Sequence, residues 1–190
     1  MSALRESYYV PRTPFVFQPA ADGSGLVAVR YQGRARHVVL PDAYQDQPVI
    51  GVGEEAFLNQ THVATVALPD TVRLLGRRAF CGCKGLVSVV LGSGLQEIGP
   101  EAFLHCSALA TVVLPAGVRR VSARALAQCD SLAAIRVHPG NQCLGGIDGV
   151  LFSKACRLLL QYPGGRTAPH YRLPAATRAI ALDAFPAGTA

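Results

Sequence analysis

The stretch Val66–Leu91, VALPDTVRLLGRRAFCGCKGLVSVVL, is one full turn of a pattern that recurs along the chain every 23 residues. The pairs Ala56-Phe57, Ala79-Phe80, Ala102-Phe103 and Ala125-Leu126 mark the period. Eight residues before the large apolar residue stand Val49, Val72, Leu95 and Val118, and five before it stand Val52, Leu75, Ile98 and Val121. Gly53, Gly76, Gly99 and Ser122 follow those. On the other side lie Val63, Leu86, Leu109 and Leu132, then Val66, Val89, Val112 and Ile135, then Leu68, Leu91, Leu114 and Val137. Internal repetition at this length signals stacked coils that share one hydrophobic interior.

Each register has a physical reading. In Leu86-x-x-Val89-x-Leu91, Val89 and Leu91 point inward at period two, as in a strand. Val72–Leu75 reads as a second short extended segment. The glycine after it lets the backbone turn where a side chain would obstruct it. Arg77-Arg78-Ala79-Phe80 is then expected to make a tight helical or 3-10 turn, with Phe80 plugging the layer. By the same expectation Glu54-Glu55 is a charge pair at a helix start. One such unit cannot stand alone, so its copies must form a column.

Working outward, the pattern changes at both ends. Residues 1–25 read as an N-terminal extension and the start of a cap, with Phe15-Val16-Phe17 as a strand and Ala21–Gly25 as a turn; residues 1–14 are expected to be loose. Residues 26–140 hold the cap repeat and the regular repeats. Residues 141–190 hold an irregular repeat with a β-hairpin, Gly149–Phe152 and Arg157–Tyr162 around a turn at Ser153–Cys156. The pattern resumes at Leu173-Pro174, Thr177, Ile180 and Ala184-Phe185, and no strand follows. An incomplete last repeat of this kind would suit end-to-end association or a longer array.

With these residues in hand, the chain resembles the BspA-type leucine-rich repeat family. Leu68-Pro69, Val72, Leu75-Gly76, Ala79-Phe80, Cys83, Leu86, Val89 and Leu91 fill that family's pattern, and Asp148-Gly149-Val150-Leu151 with Tyr162-Pro163 matches its common insertion. The departures are Gln60 for Cys, Leu126 for Phe and Gly92 for Pro. The likeness covers roughly residues 26–185. It implies a β-rich α/β solenoid and a role in adhesion or protein interaction.

Composition agrees with thin, repetitive layers: half of the residues are hydrophobic, mostly Val, Leu, Ala and Ile, and Trp is absent. Met1–Pro19 lacks the apolar run of a secretory signal, and no stretch reaches the roughly 20 apolar residues of a membrane span. As written the chain reads as cytoplasmic; a cell-surface or secreted place is expected if the start or ends are truncated.

Little in the sequence suggests chemistry. The histidines, His37, His62, His105, His138 and His170, share no repeat register, and no nucleophile motif or phosphate loop appears. We expect no enzyme activity, cofactor or metal. Cys83, Cys106 and Cys129 fall at 23-residue intervals and read as buried packing residues. Cys81-Gly82-Cys83 lacks a second pair for zinc. Cys143 and Cys156 could pair in an oxidising compartment.

Function is therefore sought on the surface. Between the inward residues of the repeat strand lie Thr65, Ser88, Thr111 and Ala134 in one row and Ala67, Val90, Val113 and Arg136 in the next. This smooth, mildly apolar face is the candidate protein-binding surface, although small β-formers also simply tile a sheet well. The net charge of +6, carried by sixteen Arg and two Lys, suggests a second candidate. Arg73, Arg119 and Arg178 share a register, with Arg77, Arg78, Arg120 and Arg124 nearby, as a flank for nucleic acid or another acidic polymer; Glu97 and Glu101 interrupt it.

Overall fold

A computed structural model describes residues 13–167 and 170–186. The expectations for residues 1–12 lie outside the described residues. The chain winds as a β-solenoid, laying short strands on successive coils. In chain order these are β1 (Phe15–Pro19), β2 (Leu26–Tyr31), β3 (His37–Val39), β4 (Ala43–Tyr44), β5 (Gln47–Val52), β6 (Thr65–Ala67), β7 (Leu74–Leu75), β8 (Ser88–Val90), β9 (Glu97–Ile98), β10 (Thr111–Leu114), β11 (Arg120–Val121), β12 (Ala134–Val137), β13 (Leu144–Ile147), β14 (Val150–Ser153), β15 (Leu158–Gln161) and β16 (Ala179–Ile180).

The period of 23 residues places strands in two sheets. One runs β3-β6-β8-β10-β12, all parallel; the other runs β1-β2-β5-β7-β9-β11, with β4 on β5. Both extended segments of the period thus become sheet. Val66, Val89, Val112 and Ile135 of the first sheet and Val52, Leu75 and Ile98 of the second are buried in one continuous core. At the N-terminal end β1 pairs antiparallel with β2, so Phe15 covers Tyr31 and Phe57.

The plugs form the axis of that core. Tyr31, Phe57, Phe80 and Phe103 stack ring on ring, with centroids 5.0, 4.7 and 5.2 Å apart. Each ring buries apolar area worth about 2–3 kcal/mol, and face contact adds about 1 kcal/mol. Leu126 ends this run; Tyr162 belongs to a separate cluster with Val150, Phe152 and Leu159, and the exposed Phe185 stacks on it at 5.1 Å.

The expected helical or 3-10 turn is not there. The described residues contain no helix. Each coil instead makes two tight turns whose third residue is left-handed: Glu55, Arg78, Glu101 and Arg124 (φ 54–57°), then Asn59, Gly82, His105 and Gln128 (φ 55–73°). A positive φ there belongs to a type II turn. Ala79 N–H donates to Gly76 and Cys83 N–H to Phe80, as such turns require. The left-handed conformation costs a non-glycine residue about 1 kcal/mol. The next coil supplies the compensation, because the N–H groups of Glu55, Phe57 and Asn59 donate to Arg77, Ala79 and Cys81. A helix would have turned those donors inward along its own axis. Glu54-Glu55 accordingly marks no helix start.

The irregular segment is larger than the expected hairpin. β13, β14 and β15 form an antiparallel meander, to which β16 adds in parallel. The carbonyl of Gly149 accepts the Ile135 N–H, so the meander closes the edge of the five-stranded sheet at β12.

Candidate binding face

The five-stranded sheet turns two rows of side chains outward. In register across it stand His37, Thr65, Ser88, Thr111 and Ala134, then Val39, Ala67, Val90, Val113 and Arg136. Ser88, Val90, Val113 and Arg136 are exposed, and Thr65, Ala67, Thr111 and Ala134 are half-buried. His37 and Val39 extend the rows beyond the residues read from the repeat; Val39 is 72% exposed, more than Val90 or Val113. His37 Nδ1 lies 2.9 Å from Thr65 Oγ1 along the hydroxyl row. The signal for both was Val38, which is inward like Val66, displaced from it by 28 residues where the period is 23.

A groove of about 560 Å³ crosses this face at β8 and β10, floored by Val90 and Val113 between Ser88 and Thr111. Its rim comes from loops the sequence reading passed over, and brings Asp70 and His138 to one place. The Ser93 N–H donates to Asp70 Oδ1 at 2.6 Å, and hydrogen bonds from Ser93 hold that carboxyl below its usual range. The Gly140 N–H donates to His138 Nδ1, which places the proton of the neutral ring on Nε2.

The arginine flank is divided by ion pairs. Arg78 bridges Glu55 at 2.8 Å and Glu101 at 3.4 Å, and Arg124 reaches Glu101 at 3.7 Å. Arg77 pairs with Glu54 at 3.4 Å, and Arg120 with Glu97. Glu55, Arg78, Glu101 and Arg124 alternate in sign from coil to coil, so each charge of that row faces its opposite. Arg73 and Arg119 lie two coils apart with Gln96 between, joined through backbone hydrogen bonds. Arg178 sits on Arg157, in the last sheet, apart from the other six.

Cys83, Cys106 and Cys129 are fully buried, and their thiols donate to the carbonyls of Phe57, Phe80 and Phe103 at 3.0–3.2 Å. Burial pushes the Cys83 and Cys129 thiols up to about 12 and Cys106 higher still. These thiols are structural donors. Cys143 and Cys156 are both free. Among the described residues no group of three or more His, Cys, Asp or Glu side chains is placed to hold a metal ion, and no helix is long and apolar enough to cross a membrane.

The coils also match known proteins. Residues 38–156 match the BspA type leucine rich repeat region in 6 copies. The chain belongs to that family. Among solved structures, this BspA-type chain is similar to the T. pallidum leucine rich repeat protein, with 30% identity over 66% of this chain and 70% of that one and a TM-score of 0.55. A leucine-rich repeat protein from Bacteroides capillosus is 27% identical over 68% of this chain and 97% of its own, with a TM-score of 0.59. The pneumococcal vaccine antigen PcpA shares the fold over 90% of this chain but 45% of its own, at 23% identity and a TM-score of 0.71. No curated protein matches.

The departures of this BspA-type chain from its repeat pattern each have a structural counterpart. Gln60, standing for Cys, sends Nε2 to the carbonyl of Tyr31 at 3.2 Å, as the cysteines do to the later plugs. Leu126, standing for Phe, ends the first ring stack. Gly92 stands where the neighbouring coils have Pro69 and Pro115, and a Cβ on it would lie 2.2 Å from the Pro69 carbonyl oxygen. The loop there is pressed against the preceding coil, beside the groove.

Proposed function

We propose that the chain is a non-catalytic, adhesion-type protein-binding module, and that its partner docks on the outward face of β3-β6-β8-β10-β12. Thr65, Ala67, Ser88, Val90, Thr111, Val113, Ala134 and Arg136 carry that face, together with His37 and Val39. The observation behind the reading is the row of exposed valines, with Val90 61% and Val113 52% exposed on adjacent coils. Exposed apolar rows on a rigid sheet supply contact area at little cost in ordering. Family membership supports the same class of role. The alternative, an anionic partner on the arginine flank, is weakened by the glutamates that occupy Arg77, Arg78, Arg120 and Arg124.

The test is the double variant Val90→Glu, Val113→Glu. Both side chains point to solvent, so the variant keeps the wild-type circular dichroism spectrum. It is expected to lose capture of the protein partner in a pull-down. If the folded variant captures the same partner, the face is not the binding surface. Steep loss of capture between low and moderate salt would favour the arginine flank instead.

A further inference from the structure

We propose that the groove beside Gly92 is an anchor site for a peptide segment of the partner, one in which a large apolar side chain neighbours a lysine or arginine. The inference rests on the protein-binding reading and adds the chemistry of what is bound.

The groove lies where one coil departs from the pattern of its neighbours. At the start of the loop after the strand, the coils of β3, β6 and β10 carry Pro41, Pro69 and Pro115 and that of β12 carries His138, whereas β8 is followed by Gly92-Ser93-Gly94. A Cβ on Gly92 would meet the Pro69 carbonyl oxygen at 2.2 Å, and one on Gly94 the Asp70 carbonyl oxygen at 2.0 Å. Only glycine permits this approach. The third coil is therefore recessed against the second, and space opens between Asp70 on one side and Pro115 and His138 on the other. Its volume, about 560 Å³, is that of a site for a bound group.

The lining sets the occupant. Val90, Val113 and Pro115 present apolar surface, which selects an apolar side chain. Asp70 is the one carboxylate of the lining, and neither lysine nor arginine lines the groove. Its Oδ1 is held by the Ser93 N–H at 2.6 Å, so the carboxylate is fixed at the rim. A fixed anion beside an apolar hollow, with no lysine or arginine in the lining, is complementary to a basic residue next to an apolar one. An acidic segment would meet repulsion at the same spot.

A random heptapeptide library displayed on phage, panned against the full chain, tests this. Recovered sequences are expected to carry a large apolar residue within two positions of lysine or arginine. Asp70→Asn keeps the oxygen that accepts the Ser93 N–H and removes the charge. It should bind a recovered peptide roughly two- to fivefold more weakly at low salt, as for an exposed charge pair, with the difference vanishing at high salt. Ser88→Phe, which fills the groove from an exposed position, should abolish binding. Recovery of no sequences, recovery of sequences without a basic preference, or an unchanged affinity in Asp70→Asn would overturn the anchor. If that happens while Val90→Glu, Val113→Glu still loses the whole partner, the sheet-face reading stands without it. If the partner also binds the double variant, both fall.

Discussion

Cys106 donates its thiol hydrogen to the carbonyl oxygen of Phe80, 3.1 Å away on the preceding coil. Cys83 and Cys129 make the same contact one coil before and one coil after. A buried thiol bonded in this way is a poor nucleophile. Thiol-specific reagents should therefore modify the exposed Cys143 and the half-buried Cys156 in the native chain, and reach Cys83, Cys106 and Cys129 only as denaturant unfolds it. Mass-mapped labelling during a urea titration checks this; fast native modification of Cys106 would contradict the structure.

The same thiols make stability depend on alkaline pH. Burial raises Cys83 and Cys129 from 9.0 to about 12 and raises Cys106 as well, so the folded chain retains protons that the unfolded chain gives up. Their contribution is fully present below pH 9 and is lost as pH rises from there through the folded values. Melting temperature should fall above pH 9. Replacing all three by Ala should flatten that fall while lowering stability at neutral pH.

Phe80 is fully buried between Phe57 and Phe103. Phe80→Ala opens a cavity in the middle of the column and should cost about 3–5 kcal/mol in urea unfolding. Phe80→Leu should cost less, since Leu126 fills the equivalent place in its own coil.

Glu101 lies between Arg78 and Arg124. All three side chains are partly exposed, so Glu101→Gln should cost under about 1 kcal/mol, and less in high salt. Its larger effect is on surface charge. Glu54→Gln, Glu97→Gln, Glu101→Gln together remove partners from Arg77, Arg120, Arg78 and Arg124, and should raise the salt concentration at which the chain leaves a heparin column. No change would mean that the glutamates are not what masks the flank.

The regular repeats were legible because one spacing served them all. Val89 and Leu91 could be read as inward, and Ser88 and Val90 as outward, from alternation alone. Tyr31 and Tyr162 were missed as plugs because they lie 26 residues before Phe57 and 36 after Leu126, outside the period. Yet both N–H groups donate to the alanine of the following coil, Ala56 and Ala184, as those of Phe57 and Phe80 donate to Ala79 and Ala102. Arg77-Arg78-Ala79-Phe80 suggested a helical turn because these residues tolerate helix well. The neighbouring coil overrode that preference by accepting the N–H groups of Arg78 and Phe80. Asp70 and His138 stand in different registers and converge through the recess at Gly92, which no local pattern announces. β13 was hidden by Gly145-Gly146, which reads as a turn.

The break in the ring stack at Leu126 has a mechanical consequence. From Tyr31 to Phe103 the rings are continuous, whereas Tyr162, on which Phe185 stacks, belongs to a second, smaller cluster. Tension applied from the C-terminal side would meet this seam before it reached β8 and β10. The last coils would then peel away as a fuse while the grip on a ligand held, and the chain would lengthen under load without letting go.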